Sequence, residues 1–290
     1  VPDRRRRPAA RRPALPDLPT EPVPTSLGTA SIRREPGAPH RVTLMLGGTE
    51  SSHLDLLDPA YLEFEYMQQM VAVLDAARPE VPVRAVHLGA AGCALPRALE
   101  ARRPGSTQLA VELDEVLAGL VRDWFDLPRS PRLRIRTGDA RAVVATLGDG
   151  AWDLVVRDVF DHAEVPRHVR TREAAAEVRR VLTADGLYLV NLTDHPPLHK
   201  ARVEVATLQE VFDHVVAIAD PAILRGRRYG NVVLAASPAP LPVAALERDL
   251  RRLPLPVRLL HGPDLSSFRG TAAPAADPPA PDDGGARTPS

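Results

Sequence analysis

The run Arg84-Ala85-Val86-His87-Leu88-Gly89-Ala90-Ala91-Gly92-Cys93-Ala94 sets the reading of the whole chain. Its first half is a short, mostly apolar strand, and its second half is a turn of small residues. Small residues let backbone N–H groups come close to a ligand, and the helix expected near 95–101 would offer it a positive N-terminus. Tight packing would use the same small residues. Outward from this point, strand-like and helix-like segments take turns. Strands are predicted at 84–88, 108–112, 133–137, 153–157, 186–191, 215–219 and 231–236, and helices near 95–101, 114–124, 140–147, 171–182 and 199–212. The early strands are short, apolar and β-branched, as strands covered on both faces are. The pattern predicts an α/β fold, a doubly wound, mostly parallel seven-stranded sheet with helices on both sides. Only a loop separates the last two strands, too little for a helical crossover, so they should pair antiparallel. Upstream, residues 42–46 closed by Gly47-Gly48 read as part of a small N-terminal β-hairpin. Asp58-Pro59 reads as a helix start, with Met67, Met70, Val71 and Leu74 on one face.

Composition bounds the function classes. Of 290 residues, 44% are hydrophobic and 26% charged, enough for a sizeable core and unlike a disordered or collagenous chain. The 37 basic and 37 acidic residues cancel, so overall charge gives no reason to expect a nucleic-acid partner. Lys200 is the only lysine, which together with 31 prolines points to coding bias. A single cysteine, Cys93, excludes an intrachain disulfide framework and a Cys-rich zinc site. No apolar run approaches the ~18 residues a membrane span needs, and no apolar stretch follows the N-terminal arginines as in a secretory signal. A cytoplasmic protein with no membrane partner is expected. Residues 1–36 read as a disordered Arg/Pro-rich tail, 37–80 as the hairpin and lead-in helix, 81–270 as the main domain, and 271–290 as a second disordered tail. The arginines at 4–7 could meet RNA or acidic lipid, but no aromatic residues interleave with them, as they would in a stacking platform.

In a doubly wound sheet, ligands sit beyond the carboxyl ends of the strands, near the topological switch point. The second strand ends at Glu112, about 20 residues after the glycine turn, where such sheets place an acid that accepts the ribose hydroxyls. Asp114 suits the cap of the next helix better. The third strand ends in Thr137-Gly138-Asp139-Ala140, where Asp139 could accept a hydrogen bond from an adenine amino group or cap the helix that follows. An NAD site wants Gly-x-Gly-x-x-Gly, whereas this turn has Gly89 and Gly92 without a third glycine, and no phosphate-binding P-loop occurs.

A glycine turn, Glu112 after the second strand and Gly138-Asp139 after the third together resemble the class I S-adenosylmethionine methyltransferase-like fold. The fourth strand, Trp152-Asp153-Leu154-Val155-Val156-Arg157-Asp158-Val159-Phe160-Asp161, is similar to the signature of the spermidine synthases, the polyamine aminopropyltransferases. There an aromatic-Asp and apolar strand lead into an Asp-x-x-Asp loop. Thr171-Arg172-Glu173, Leu182-Thr183-Ala184-Asp185-Gly186, Tyr229-Gly230-Asn231 and Leu44-Met45-Leu46-Gly47-Gly48 extend the resemblance over roughly residues 40–240.

That resemblance implies transfer of a propylamine group from decarboxylated S-adenosylmethionine to a diamine such as putrescine, with no metal and no tightly bound cofactor. Asp158 would be the base and Asp161 would help hold the amine, while Gly89, Gly92, Glu112, Asp139 and Ala140 would bind the nucleoside. The chemistry is compatible. Both substrates are cationic, so a cleft lined by Asp158 and Asp161, with Glu50, Asp55 and Asp194 as further candidates, suits them. An amine with a pKa near ~10.4 costs about 4 kcal/mol to deprotonate at pH 7, and a carboxylate at the attacking nitrogen can take its proton. Partners would be the diamine and the nucleoside sulfonium, with a homodimer left open.

Four departures from the family pattern stand out. Gly92 occupies the place of an Asp that contacts the donor's amino end. Phe64-Glu65-Tyr66 stands where the lead-in helix has Tyr-His-Glu, Glu50 or Ser51 replaces a hairpin glutamine, and His162 replaces a proline. They leave open a methyltransferase using intact S-adenosylmethionine, or an inactive relative. His162 could be a second base or a solvated loop histidine. Cys93, at a helix start, could be a low-pKa thiol or a small packing residue.

Overall fold

The computed structural model describes residues 15–161 and 164–279; the arginines at 4–7, His162 and residues 280–290 lie outside the described residues. The N-terminal part is an antiparallel sheet, β1 (Val23–Pro24), β2 (Thr29–Glu35), β3 (Ala38–Leu46) and β4 (Thr49–Asp55), in the order β1-β2-β3-β4. The lead-in helix α1 (Glu65–Ala77) follows. The main domain then alternates: β5 (Arg84–Leu88), α2 (Ala94–Arg102), β6 (Thr107–Glu112), α3 (Glu115–Trp124), β7 (Leu133–Thr137), α4 (Ala140–Ala145), β8 (Trp152–Arg157), α5 (Arg172–Val181) and β9 (Leu182–Asp194). It continues through α6 (His199–Gln209), β10 (His214–Ala219), α7 (Pro221–Leu224), β11 (Gly230–Ser237), α8 (Val243–Leu250), β12 (Arg258–Leu260) and α9 (Gly262–Arg269).

The large sheet runs β12-β10-β11-β9-β8-β5-β6-β7. Strands β5 to β9 pair in parallel, and β11 inserts antiparallel between β9 and β10, with Val215 opposite Ala236. The antiparallel pairing expected of the last two predicted strands is therefore present. Strand β5 pairs with β6 on one side and β8 on the other, so the order reverses there. Strand β5 is covered on both faces for a structural reason. Ala85 joins a cluster with α1, α2 and the N-terminal sheet, while Val86 and Leu88 join a second cluster with α4, α5 and α6.

The structure corrects several boundaries. The first tail does not extend to residue 36, because Thr29–Glu35 is a strand whose Ala30 is fully buried. The expected hairpin is accordingly part of a four-stranded sheet. The helix begins at Glu65, not at Asp58-Pro59. Asp58 closes a turn, its Oδ1 accepting from Ala60 N–H at 3.0 Å, and the face of Met67, Met70, Val71 and Leu74 is buried from the next turn onward. An eighth strand, β12, adds to the seven predicted. The second tail does not begin at 271. The backbone of Ala275 bonds Arg172 N–H at 2.9 Å and Thr207 Oγ1 at 2.8 Å, and the Asp277 carboxylate pairs with the Arg141 guanidinium. That guanidinium pulls the Asp277 carboxyl down to about 2.

Candidate active site

The carboxyl ends of β5, β6, β7, β8 and β9 and the amino end of the antiparallel β11 open into a cleft of about 1160 Å³, roofed by β4, the β3–β4 turn and the start of α1. Of the sequence-predicted site residues, Gly89, Glu112, Asp139, Ala140, Asp158 and Asp161 line it, whereas Gly92 lies just behind its wall.

The glycine turn does not present free N–H groups to the cleft. Gly89 N–H bonds Val111 O at 3.0 Å, Cys93 N–H bonds Ala90 O at 2.7 Å, and Gly92 N–H bonds Ser52 Oγ at 3.0 Å. Ala90 and Ala91 N–H bond Glu112 Oε2 at 3.2 and 2.8 Å, and Asp114 N–H bonds Glu112 Oε1 at 3.1 Å. The turn therefore serves to hold a carboxylate at the end of β6. A carboxylate has about four acceptor sites, so Glu112 keeps capacity for hydroxyl donors. Gly89 is required by close approach: at φ +82°, an added Cβ would sit 2.2 Å from Asp158 O. Asp114 takes the capping role, accepting from Leu117 N–H at 2.8 Å.

Asp139 takes the capping role that the sequence offered it. Its Oδ1 caps α4 through Ala142 N–H at 2.9 Å, while Oδ2 faces the cleft and meets His168 Nε2 at 2.8 Å. Burial pushes its carboxyl up, but Ala142 N–H and His168 outweigh burial and hold it below the usual range.

Asp158 follows β8 and sits half-buried at the cleft floor. Tyr66 Oη donates to its Oδ2 at 2.7 Å, and Asn191 Nδ2 donates to its Oδ1 at 2.8 Å. Asn191 Oδ1 in turn accepts from Asn231 Nδ2 at 2.9 Å. Burial raises the Asp158 carboxyl above its ordinary value, against the opposing hydrogen bonds of Asn191 and Tyr66. Burial and the neighbouring Asp158 push the Tyr66 phenol well above its usual value, so it remains a donor. The preceding Arg157 anchors this strand end from the opposite face. It bonds Glu204 Oε1 at 2.6 Å and Val169 O at 2.9 Å, and Arg157 and Glu204 are each about 1% exposed. Breaking such a buried pair by removing one partner typically costs about 3–5 kcal/mol.

Asp161 is exposed and bridges backbone-to-backbone with Glu164, its N–H bonding Glu164 O at 2.8 Å. Glu50 lines the cleft but pairs with Arg33. Asp55 and Asp194 are not cleft acids. Asp55 accepts Leu57 N–H at 2.9 Å and Asp58 N–H at 3.0 Å, and Asp194 accepts His195 N–H and Ala201 N–H at 2.8 and 2.9 Å. Both are consumed by local turns, which the sequence does not distinguish from a free carboxylate. Cys93 is fully buried, and burial pushes its thiol up to about 12, so it packs and does not react. Sequence reasoning missed Tyr66 and Asn191 as partners of Asp158. The signal for Asn191 was a polar residue inside an otherwise apolar strand.

A Corynebacterium glutamicum protein, solved as a probable spermidine synthase, superposes with a TM-score of 0.84 at 33% identity, over 91% of this chain and 98% of that one. The chain belongs to the spermidine synthase family. The chain also matches the polyamine aminopropyltransferase of Vibrio vulnificus, at 30% identity over 152 residues, or 51% of this chain. It spans about half the length of the curated polyamine aminopropyltransferases it matches, 49% and 57%. Human methyltransferase-like protein 13, solved in complex with SAH, shares the fold with a TM-score of 0.53 at 24% identity, over 66% of this chain and 94% of that one. No protein-family model matches the chain. No helix among the described residues is long and apolar enough to cross a membrane.

Proposed function

We propose that this protein is an aminopropyltransferase that moves a propylamine group from decarboxylated S-adenosylmethionine to a diamine such as putrescine. The observation that carries the reading is Asp158: a carboxylate with a raised pKa, oriented by Tyr66 and Asn191, at the strand end that faces the glycine turn. Glu112 would accept the ribose hydroxyls, and Asp139 with the start of α4 at Ala140 would meet the adenine. Gly89 allows the β5 turn and the Asp158 backbone to approach, and the exposed Asp161 would receive the far part of the amine.

In the reaction, the neutral amine nitrogen attacks the propyl carbon bonded to sulfur. The carbon–sulfur bond breaks and its electron pair stays on sulfur, turning the sulfonium into the neutral thioether methylthioadenosine. The new nitrogen cation gives its extra proton to Asp158, whose charge also favours the developing positive charge. Both substrates are small molecules.

The test is methylthioadenosine release measured with decarboxylated S-adenosylmethionine across a panel of diamines. Release with at least one diamine supports the assignment, and none with any diamine overturns it. One observation favours a second reading, a methyltransferase. Gly92 leaves no acid at the turn, and an added Cβ there would lie 2.8 Å from Ser52 Cβ. Intact S-adenosylmethionine binding as tightly as the decarboxylated donor would favour it, and a preference above a hundredfold for the decarboxylated donor would count against it.

A further inference from the structure

Gln69 and His87 take no part in that scheme, yet both line the cleft and both are almost fully buried, at 4% and 2% exposure. Gln69 Oε1 and His87 Nδ1 have no hydrogen-bond partner among the described residues. The proton on His87 can be assigned from its neighbours. Gln108 Nε2 donates to Pro96 O at 2.9 Å, which orients the amide. Gln108 Oε1 is then the acceptor facing His87 Nε2 at 2.9 Å, so the proton sits on Nε2 and Nδ1 carries a lone pair. Burial also drives the His87 pKa down to about 4, against the Gln108 hydrogen bond, so the ring is neutral near pH 7. Buried acceptors without a donor are uncommon and call for an explanation.

The two acceptors lie in the same layer of the cleft. Gln69 follows Tyr66 by three residues and so shares its face of α1. His87 is in register with Val156, another cleft residue, which precedes Asp158 by two and shares its face of the sheet. Both therefore sit one layer beneath the Tyr66–Asp158 bond, and the turn at Gly92, packed on Ser52, has no room for an acid that would do their work.

We propose that Gln69 Oε1 and His87 Nδ1 form an inner subsite for a primary ammonium group of a substrate. An ammonium has three donors and no acceptor, the complement of two unpartnered lone pairs, whereas a carboxylate would face only acceptors there. The inference deepens the aminopropyltransferase reading and rests on it. The ammonium could belong to the donor's propylamine tail or to the diamine.

Gln69→Met and His87→Leu each remove an acceptor at similar volume. Wild type and both variants are titrated calorimetrically with methylthioadenosine, with decarboxylated S-adenosylmethionine, and with 1,4-diaminobutane alone and beside methylthioadenosine. Methylthioadenosine, which has no ammonium, should bind all three proteins alike. One ammonium ligand should weaken at least about tenfold, the loss expected for a hydrogen bond to a charged group. Weakening of the decarboxylated donor assigns the subsite to the donor tail, and weakening of the diamine assigns it to the acceptor. The free variants should melt no lower than wild type, since an unpaired buried acceptor has been removed. As a gain-of-function check, Gln69→Glu should tighten the same ligand. Ammonium ligands bound equally well by wild type and both variants overturn the subsite, as does equal weakening of methylthioadenosine. A wild type that binds the diamine but not methylthioadenosine breaks the nucleoside reading alone, and the diamine arm still tests the subsite.

Discussion

The half of the cleft proposed to hold the nucleoside is assembled from consecutive strand ends of one sheet, while the half proposed to hold the amine is assembled from parts far apart in the chain. Gly89, Glu112 and Asp139 lie at the carboxyl ends of β5, β6 and β7 in turn, and Glu112 is held by amides of the neighbouring turn. Asp158 instead takes its hydrogen bonds from Tyr66 on the lead-in helix, 92 residues away, and from Asn191 on β9. Strand ends in a parallel sheet are placed by the sheet itself, so the first half needs only local sequence. The second half needs α1 and the N-terminal sheet to dock correctly, and two of the four departures from the family's pattern, at Glu50 or Ser51 and at Phe64-Glu65-Tyr66, lie there.

If the halves are as separate as this construction implies, mutations should split binding from turnover. Asp158→Asn keeps the shape and an acceptor for Asn191 Nδ2 but removes the charge, and its amide NH2 faces Tyr66 Oη, which must then turn from donor to acceptor. Turnover should fall at least about 10²-fold, the lower end of general-base help, while methylthioadenosine affinity barely moves in calorimetry. The same variant should melt no lower at pH 7. Asp158 has a folded pKa raised by burial above its unfolded value, so its stabilising contribution is present below the unfolded pKa and lost as pH rises through the folded one. A large loss of methylthioadenosine affinity would break the comparison.

The converse variant, Glu112→Ala, should weaken methylthioadenosine by about 2–3 kcal/mol, the worth of hydrogen bonds to a charged group. Unchanged binding in a folded variant would remove the nucleotide reading.

Tyr66→Phe sharpens the amine half, with turnover expected to fall about tenfold for one lost hydrogen bond to a charged group. Because Tyr66 lowers the Asp158 pKa against burial, its loss should move the acid limb of the kcat/KM profile to higher pH. A limb that stays put would mean that Asp158 is not the group titrating.

The smallest effect is expected from His168→Ala. It frees Asp139 Oδ2 at a pair whose side chains are 48% and 40% exposed, so methylthioadenosine affinity should change less than about fivefold. A larger change would make His168 part of the base pocket and tie the nucleoside half to the loop that carries it.

Much of this molecule was determined by sequence alone, wherever a feature depends on neighbours in the chain. The alternation of strands and helices and the acids closing β6, β7 and β8 follow from local periodicity and turn chemistry. Arg84–Leu88 and Leu133–Thr137 have the bounds that their apolar pattern predicts. Tertiary structure alone decided which carboxylates are free. Asp55, Asp158 and Asp194 are the same residue type, yet local amides occupy two of them, while the third is held by a tyrosine and an asparagine from distant elements. It also decided that Gly92 backs onto Ser52, that β2 lies inside a sheet, and that Asp277 ties the segment after α9 to Arg141. The physical reason is one of range. Backbone preference and hydrophobic period act over a few residues, but a side chain's charge state, partners and access to the cleft depend on which remote surfaces the fold packs against it.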